Sequence, residues 1–263
     1  MSIWSSDSSI ARYRYERFPL TLFVPVILFL AIPILVAGEA AARAKALTTL
    51  LVLLLQFRLW DDLSDLKTDR LEFPERVLSG ASSLTSFRWL WVAATGVVLL
   101  LLWGHRDLQL LYLAALLFFF VWYRWLADRA PRALAYHIVL LKYPLFVCVA
   151  ARIASARVDE LLLGTMALVF LTFAVYEPLH DERTHRFKGI NVVVAADLVI
   201  WILTSWVILR NEARSAIVLS LVGLAFALAS FRRFRRTRDC TLLGRGVFLL
   251  SFLVLLSAYG GRS

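Results

Sequence analysis

Nine apolar runs, each near the length that crosses a bilayer, constrain this chain more than anything else in it. A transmembrane helix needs about 20 predominantly apolar residues. Runs of that kind cover roughly residues 18–37, 44–59, 84–103, 107–126, 133–154, 160–179, 190–209, 214–231 and 241–259. They are rich in Leu and Ala and show no strict alternation, which favours helices over barrel strands. Hydrophobic residues make up 60% of the 263, against about 45–50% in a soluble domain. The expectation is an all-α integral membrane protein, a polytopic bundle of about nine transmembrane helices. No hydrophilic linker is long enough to separate a second domain, so residues 1–263 read as one unit. The first run exceeds a signal-peptide core and contains Pro19, Pro25 and Pro33, so it reads as an uncleaved first helix. The fifth carries His137, Lys142 and Arg152 and is no plain lipid-facing helix.

The net charge is +10. In so apolar a chain it points to loop charge and anionic headgroups, with no nucleic-acid partner. With nine spans, the N-terminal tail and even-numbered loops hold 19 Lys and Arg, and the opposite side holds 8. The positive-inside rule then puts the N-terminus in the cytoplasm, and in a bacterium the membrane would be the inner one. The basic run Arg232 to Arg238 reads as a cytoplasmic anchor. Cys148 and Cys240 offer neither a disulfide framework nor metal-ligand spacing.

Six of the 19 acidic residues lie between Asp61 and Glu75, directly after the second run. On a helix, Asp62, Asp65 and Asp69 fall at i, i+3 and i+7 and share a face, and Asp61 joins it through Asp65. Like charges packed this closely repel, and a hard divalent cation such as Mg²⁺ among them would offset the repulsion. The competing reading is a solvated acidic turn between two helices. A second acidic cluster, Glu177 and Asp181 at i and i+4, ends the sixth run on the same side. The two could converge on a Mg²⁺-bound diphosphate, with Lys and Arg neutralising the remaining charge. Alternatively Glu177 and Asp181 pair with Arg183 or Arg186 at the surface. Lys142 is ionisable within a span, a functional-site hypothesis by default; its alternatives are snorkelling or an intramembrane acidic partner. The aromatic stripe Phe118 to Tyr123 reads as an interfacial belt facing lipid; the alternative, in a protein handling an isoprenoid, is that some of these rings line the groove for its tail.

Asp61-Asp62-x-x-Asp65-x-x-x-Asp69, followed by Pro74-Glu75-Arg76-x-x-Ser79-Gly80, resembles the first motif of the UbiA superfamily of intramembrane prenyltransferases. The usual form there is Asn-Asp-x-x-Asp-x-x-x-Asp, then Arg-Pro. Here Asp61 stands for the Asn, and Val77 follows Arg76 in place of the proline. Tyr15-Glu16-Arg17-Phe18-Pro19-Leu20 looks like the opening of several bacterial members. Glu177-x-x-x-Asp181 occupies the place of the second motif, usually Asp-x-x-x-Asp.

The resemblance implies a UbiA-like fold and a reaction. A polyprenyl diphosphate binds in a cavity open to lipid, Mg²⁺ draws off the leaving group's charge, the C1–O bond breaks, and an acceptor captures the allylic cation. It implies Asp61, Asp62, Asp65, Asp69, Glu177 and Asp181 as metal-binding residues. Arg58, Arg76 and Lys142 are the candidates for diphosphate contact. An aromatic acceptor is the commonest in the family. The same motifs would serve a terpene cyclase of this type, and a non-catalytic lipid carrier or assembly protein on the same scaffold stands as the alternative.

Overall fold

A computed structural model describes residues 4–81, 83–180, 189–210, 223 and 241–260. Every regular element among them is helical. In order they are α1 (Trp4–Arg17), α2 (Leu20–Leu35), α3 (Ala40–Ser64), α4 (Leu66–Glu72), α5 (Thr85–Leu101), α6 (Arg106–Val121), α7 (Arg132–Leu140), α8 (Lys142–Ile153), α9 (Glu160–His180), α10 (Ile190–Ile208) and α11 (Thr241–Gly260).

Six stretches are long and apolar enough to cross a membrane: Ala40–Ser64, Arg106–Leu126, Ala135–Ile153, Glu160–Leu179, Ile190–Ile208 and Leu243–Gly260. The protein is therefore an integral membrane protein. The first and third expected spans appear as the shorter apolar helices Phe23–Leu35 and Thr85–Leu101. The eighth, 214–231, and the basic run after it lie outside the described residues.

Helix α9 packs against α10 and α11, while α3 packs against α5 and α8, and α8 joins the two groups by touching α9 and α2. The shared core holds Phe29, Leu50, Leu53, Phe57, Phe146, Ala150, Leu168 and Ala174. Lipid tails are as apolar as these side chains, so close packing and inter-helix hydrogen bonds supply the specificity. Gln56 on α3 donates to Thr95 Oγ1 on α5 and accepts from the Tyr112 hydroxyl on α6, both at 2.7 Å. Ser251 on α11 meets Thr172 at 2.7 Å and accepts from Trp201 Nε1 at 2.8 Å. Gly38 lets the α2–α3 turn lie on the end of α8: its φ is +63°, and a Cβ there would sit 2.2 Å from the Ala154 carbonyl oxygen.

Three departures from regular helices shape the interior. With 25 residues, α3 is about 37 Å long, longer than the ~30 Å hydrocarbon core. Its C-terminal turns, bearing Asp61 and Asp62, can therefore leave the hydrocarbon. The fifth expected span is broken at Leu141, between α7 and α8. Pro144 explains the break, since it supplies no N–H and its ring crowds the carbonyl of Leu140. Helix α6 ends in a π-helical turn, Trp122–Leu126; such turns rotate a side chain off the regular register. Here the aromatic stripe splits: Phe118 and Phe120 stay exposed, Phe119 and Trp122 are buried, and Tyr123 turns inward.

Candidate functional site

A cavity of about 570 Å³ lies among α2, α3, α7, α8 and α9, within the usual range for small-molecule sites. Its walls divide by chemistry. Arg17, Arg58, Asp61, Asp62, Asp65, Asp69, Arg76, Lys142 and Glu177 supply charge, and Phe23, Val26, Leu54, Phe57, Val139, Phe146 and Phe173 supply apolar surface. The helices fix which part is deep. On α3, Leu54 precedes Asp62 by eight residues, about 12 Å of rise. On α9, Phe173 lies one turn before Glu177, and on α8, Phe146 lies one turn after Lys142. In all three helices the charged residue is at the same end, with apolar residues one to two turns further into the bundle.

Asp61 is held by two groups from distant parts of the chain. It accepts from the Lys142 ammonium and from the Tyr123 hydroxyl. The break in the fifth span starts α8 at Lys142, and the π-helical turn presents Tyr123, so both irregularities serve this carboxylate. Lys142 is only 5% exposed: the intramembrane acidic partner, rather than snorkelling, is the outcome.

Asp62 and Asp69 are tied down from α1. Tyr13 Oη donates to Asp62 Oδ2 at 2.7 Å, and Arg17 Nη2 donates to Asp62 Oδ1 at 2.7 Å. That same Arg17 nitrogen is 3.5 Å from Asp69 Oδ2, so one guanidinium bridges two carboxylates of the acidic stretch. Tyr13 and Arg17 are four residues apart and so share a helix face. Glu16 fixes the helix further by accepting from the Val77 backbone N–H at 2.9 Å. Burial, and then the Asp62 carboxylate, push the Tyr13 phenol far above its ordinary value of 10.0. Arg76 donates to Asp69 Oδ2 at 2.7 Å, and its guanidinium lies 3.9 Å over the Phe73 ring. Arg58 Nε is 3.8 Å from Asp62 Oδ2.

The helical face expected for Asp62, Asp65 and Asp69 forms in modified form. The helix changes direction at Asp65, yet Asp65 N–H still reaches Asp61 O and Asp69 N–H reaches Asp65 O, both at 2.9 Å. Asp62 and Asp69 are buried, and Asp65 is exposed and lines the cavity. Glu177 joins the same cavity from α9. Asp181 lies outside the described residues, as do Arg183 and Arg186. Of the nine candidate residues, the cavity thus gathers every one except Asp181.

Five carboxylates lining one space are the hard oxygen donors that Mg²⁺ takes. As they stand, Asp61, Asp62 and Asp69 are ion-paired, and among the described residues no three acidic, His or Cys side chains converge as a ligand group. The donor chemistry fits the ion, and the ion would have to displace side-chain cations to bind.

Tyr13, Arg17, Tyr123, Tyr136 and Asp197 are absent from the sequence-derived set. Asp197 on α10 is 7% exposed and is the acidic residue inside the seventh run, a signal of the kind that singled out Lys142. It accepts from the Tyr136 hydroxyl at 2.9 Å and pairs with His137 Nε2 at 3.1 Å. No family model, no curated protein and no solved structure matches the chain.

Proposed function

We propose that this protein is a Mg²⁺-dependent intramembrane prenyltransferase that ionises a polyprenyl diphosphate and passes the prenyl group to an acceptor, most commonly an aromatic one in the family its motif resembles. The carrying observation is the division of the cavity into a charged end and an apolar interior. An allylic diphosphate is built the same way, with a multiply charged head on an apolar chain. The resemblance of Asp61 to Gly80 to the UbiA first motif supports the same reading. The charge asymmetry of the loops supports reading the charged end as cytoplasmic, in the inner membrane if the cell is bacterial.

In this reading Asp61, Asp62, Asp65, Asp69 and Glu177 hold the metal, with Asp181 as the further candidate on the α9 side. Mg²⁺, when bound, supplies Lewis-acid stabilisation of the diphosphate leaving group. Arg58, Arg76 and Lys142 exchange their carboxylate partners for phosphate oxygens, to which guanidinium groups bind in a bidentate manner. Phe57, Phe146 and Phe173 hold the chain and keep water from the cation, which water would otherwise capture.

A second reading, a non-catalytic lipid carrier or assembly protein, draws on the ion pairing of Asp61, Asp62 and Asp69, which leaves the charged end neutralised without a metal. A UbiA-type terpene cyclase would share every residue named. One assay separates all three. Protein in lipid nanodiscs is given geranyl, farnesyl and geranylgeranyl diphosphates with and without Mg²⁺, beside Asp65→Ala and Glu177→Ala. Mg²⁺-dependent diphosphate release, abolished in Asp65→Ala, is expected, and the organic product identifies transferase or cyclase. No release from any donor, even with a membrane extract supplying acceptors, would favour the carrier.

A further inference from the structure

Prenyl transfer leaves a proton to be removed. When an acceptor O–H or aromatic C–H captures the cation, the new bond forms at C1, the C1–O electron pair has gone to diphosphate, and the acceptor is left as a strong acid. None of the residues assigned above is placed for that proton, since each is committed to a cation or to the leaving group.

A different cluster on the cavity wall is suited to it. Tyr136 on α7 lines the cavity. Its hydroxyl lies 2.9 Å from Asp197 Oδ2 and 3.1 Å from the Ala174 carbonyl oxygen. His137 Nε2 is 3.2 Å from Asp197 Oδ1 and 3.1 Å from Oδ2. The two rings lie 4.1 Å apart, and His137 is also 5.8 Å from the Phe170 ring. Asp197 is buried in the middle of an apolar helix, where an ionisable group is costly to keep and calls for a function. On either side of the break at Leu141, Tyr136 and Tyr143 meet α9 at the neighbouring Ala174 and Phe173.

The geometry points to a Tyr136–Asp197–His137 proton-uptake site for the acceptor, an assignment that rests on the prenyl-transfer reading. The acceptor gives its proton to the Tyr136 oxygen as the phenolic proton moves to Asp197. The phenol is restored, the acceptor becomes neutral, and one proton rests on the carboxylate until water removes it. Tyr136 is assigned as the catalytic residue because, of the three, it lines the cavity. His137 is a positioning residue that holds both carboxylate oxygens. Against an acid as strong as a prenylated aromatic cation, an ordinary carboxylate is a sufficient base.

The test uses the full chain in nanodiscs with Mg²⁺, farnesyl diphosphate and a panel of phenol and naphthol probes. Two quantities are read: total diphosphate released, and the ratio of acceptor adduct to products formed without acceptor (farnesol plus farnesene). Asp197→Asn and Tyr136→Phe are each expected to keep release within about twofold while the ratio falls at least about tenfold, since a positioned base typically contributes 10²–10⁴-fold. Asp197→Glu is expected to recover part of it. Tyr136→Phe removes one oxygen and keeps the ring, so it stands if Asp197→Asn fails to fold. Release and ratio falling together in Tyr136→Phe, an unchanged ratio, or farnesol alone from the wild type would overturn the assignment. No release from the wild type would overturn the ionisation reading itself and this assignment with it.

Discussion

Replacing Lys142 by Met removes the cation from a buried pair while roughly keeping the length of the stem. The Asp61 side chain is 13% exposed and that of Lys142 is 7%, so the carboxylate left behind is nearly dry, with Tyr123 as the remaining donor identified for it. Breaking a buried pair from one side costs about 3–5 kcal/mol, whereas replacing both partners with neutral groups is often close to neutral. For a chain of this size 1 kcal/mol shifts Tm by roughly 2–4 °C, so Lys142→Met should lower the apparent Tm by about 6–20 °C. Adding Asp61→Asn should recover most of the loss, leaving the double variant within a few degrees of the wild type. The assay is thermal unfolding in one fixed lipid or detergent, followed by tryptophan fluorescence. Asp61 and Lys142 both belong to the proposed ionisation site, so the double variant should stay folded and still release no diphosphate. Strict additivity, with the double variant less stable than either single one, would refute the view of this pair as mutual neutralisation.

The remaining predictions follow from single contacts. Gly38→Ala combines a left-handed φ with a Cβ 2.2 Å from a backbone oxygen and should cost more than about 2 kcal/mol, seen as a Tm fall of at least about 4 °C. Gln56→Leu removes the Gln56 bonds to Tyr112 and Thr95 and should cost about 1 kcal/mol, since intramembrane hydrogen bonds average less than that each; a loss above about 3 kcal/mol would mean that the network does more than join helices. The Tyr13 phenol has its folded-state value raised above 10.0, so its contribution is complete below pH 10 and is lost as pH climbs toward the folded value. Wild-type stability should therefore decline more steeply above pH 10 than that of Tyr13→Phe, measured by thermal unfolding across the alkaline range.

The amino-acid pattern carried the helical membrane class and the acidic end of the cavity. Both depend on local quantities: run length, and charges spaced along one helix. Asp62 and Asp69 needed only i, i+7 to be placed together. Their partners were illegible for the opposite reason. Arg17 reaches Asp62 across 45 residues, and Lys142 reaches Asp61 across 81, so the pairing depends on how helices pack. Two signals were present and local. Pro144 sits two residues after Lys142 and marks the break in the fifth span, and Asp197 is a carboxylate inside an apolar run. The π-helical turn that aims Tyr123 has no comparable signature, because the stripe before it reads as ordinary lipid-facing aromatics.

The same sequence separations set a schedule for biosynthesis. Arg17 has left the ribosome before Asp62 is made, so that carboxylate meets its counter-charge as soon as α3 folds. Asp61 waits for a lysine 81 residues downstream. At about 5–20 residues per second, that interval lasts roughly 4–16 s. During it the first half of the bundle carries an acidic group whose lysine has not yet been made. A fragment ending after α6 keeps that state permanently, because the counter-charge comes with α8.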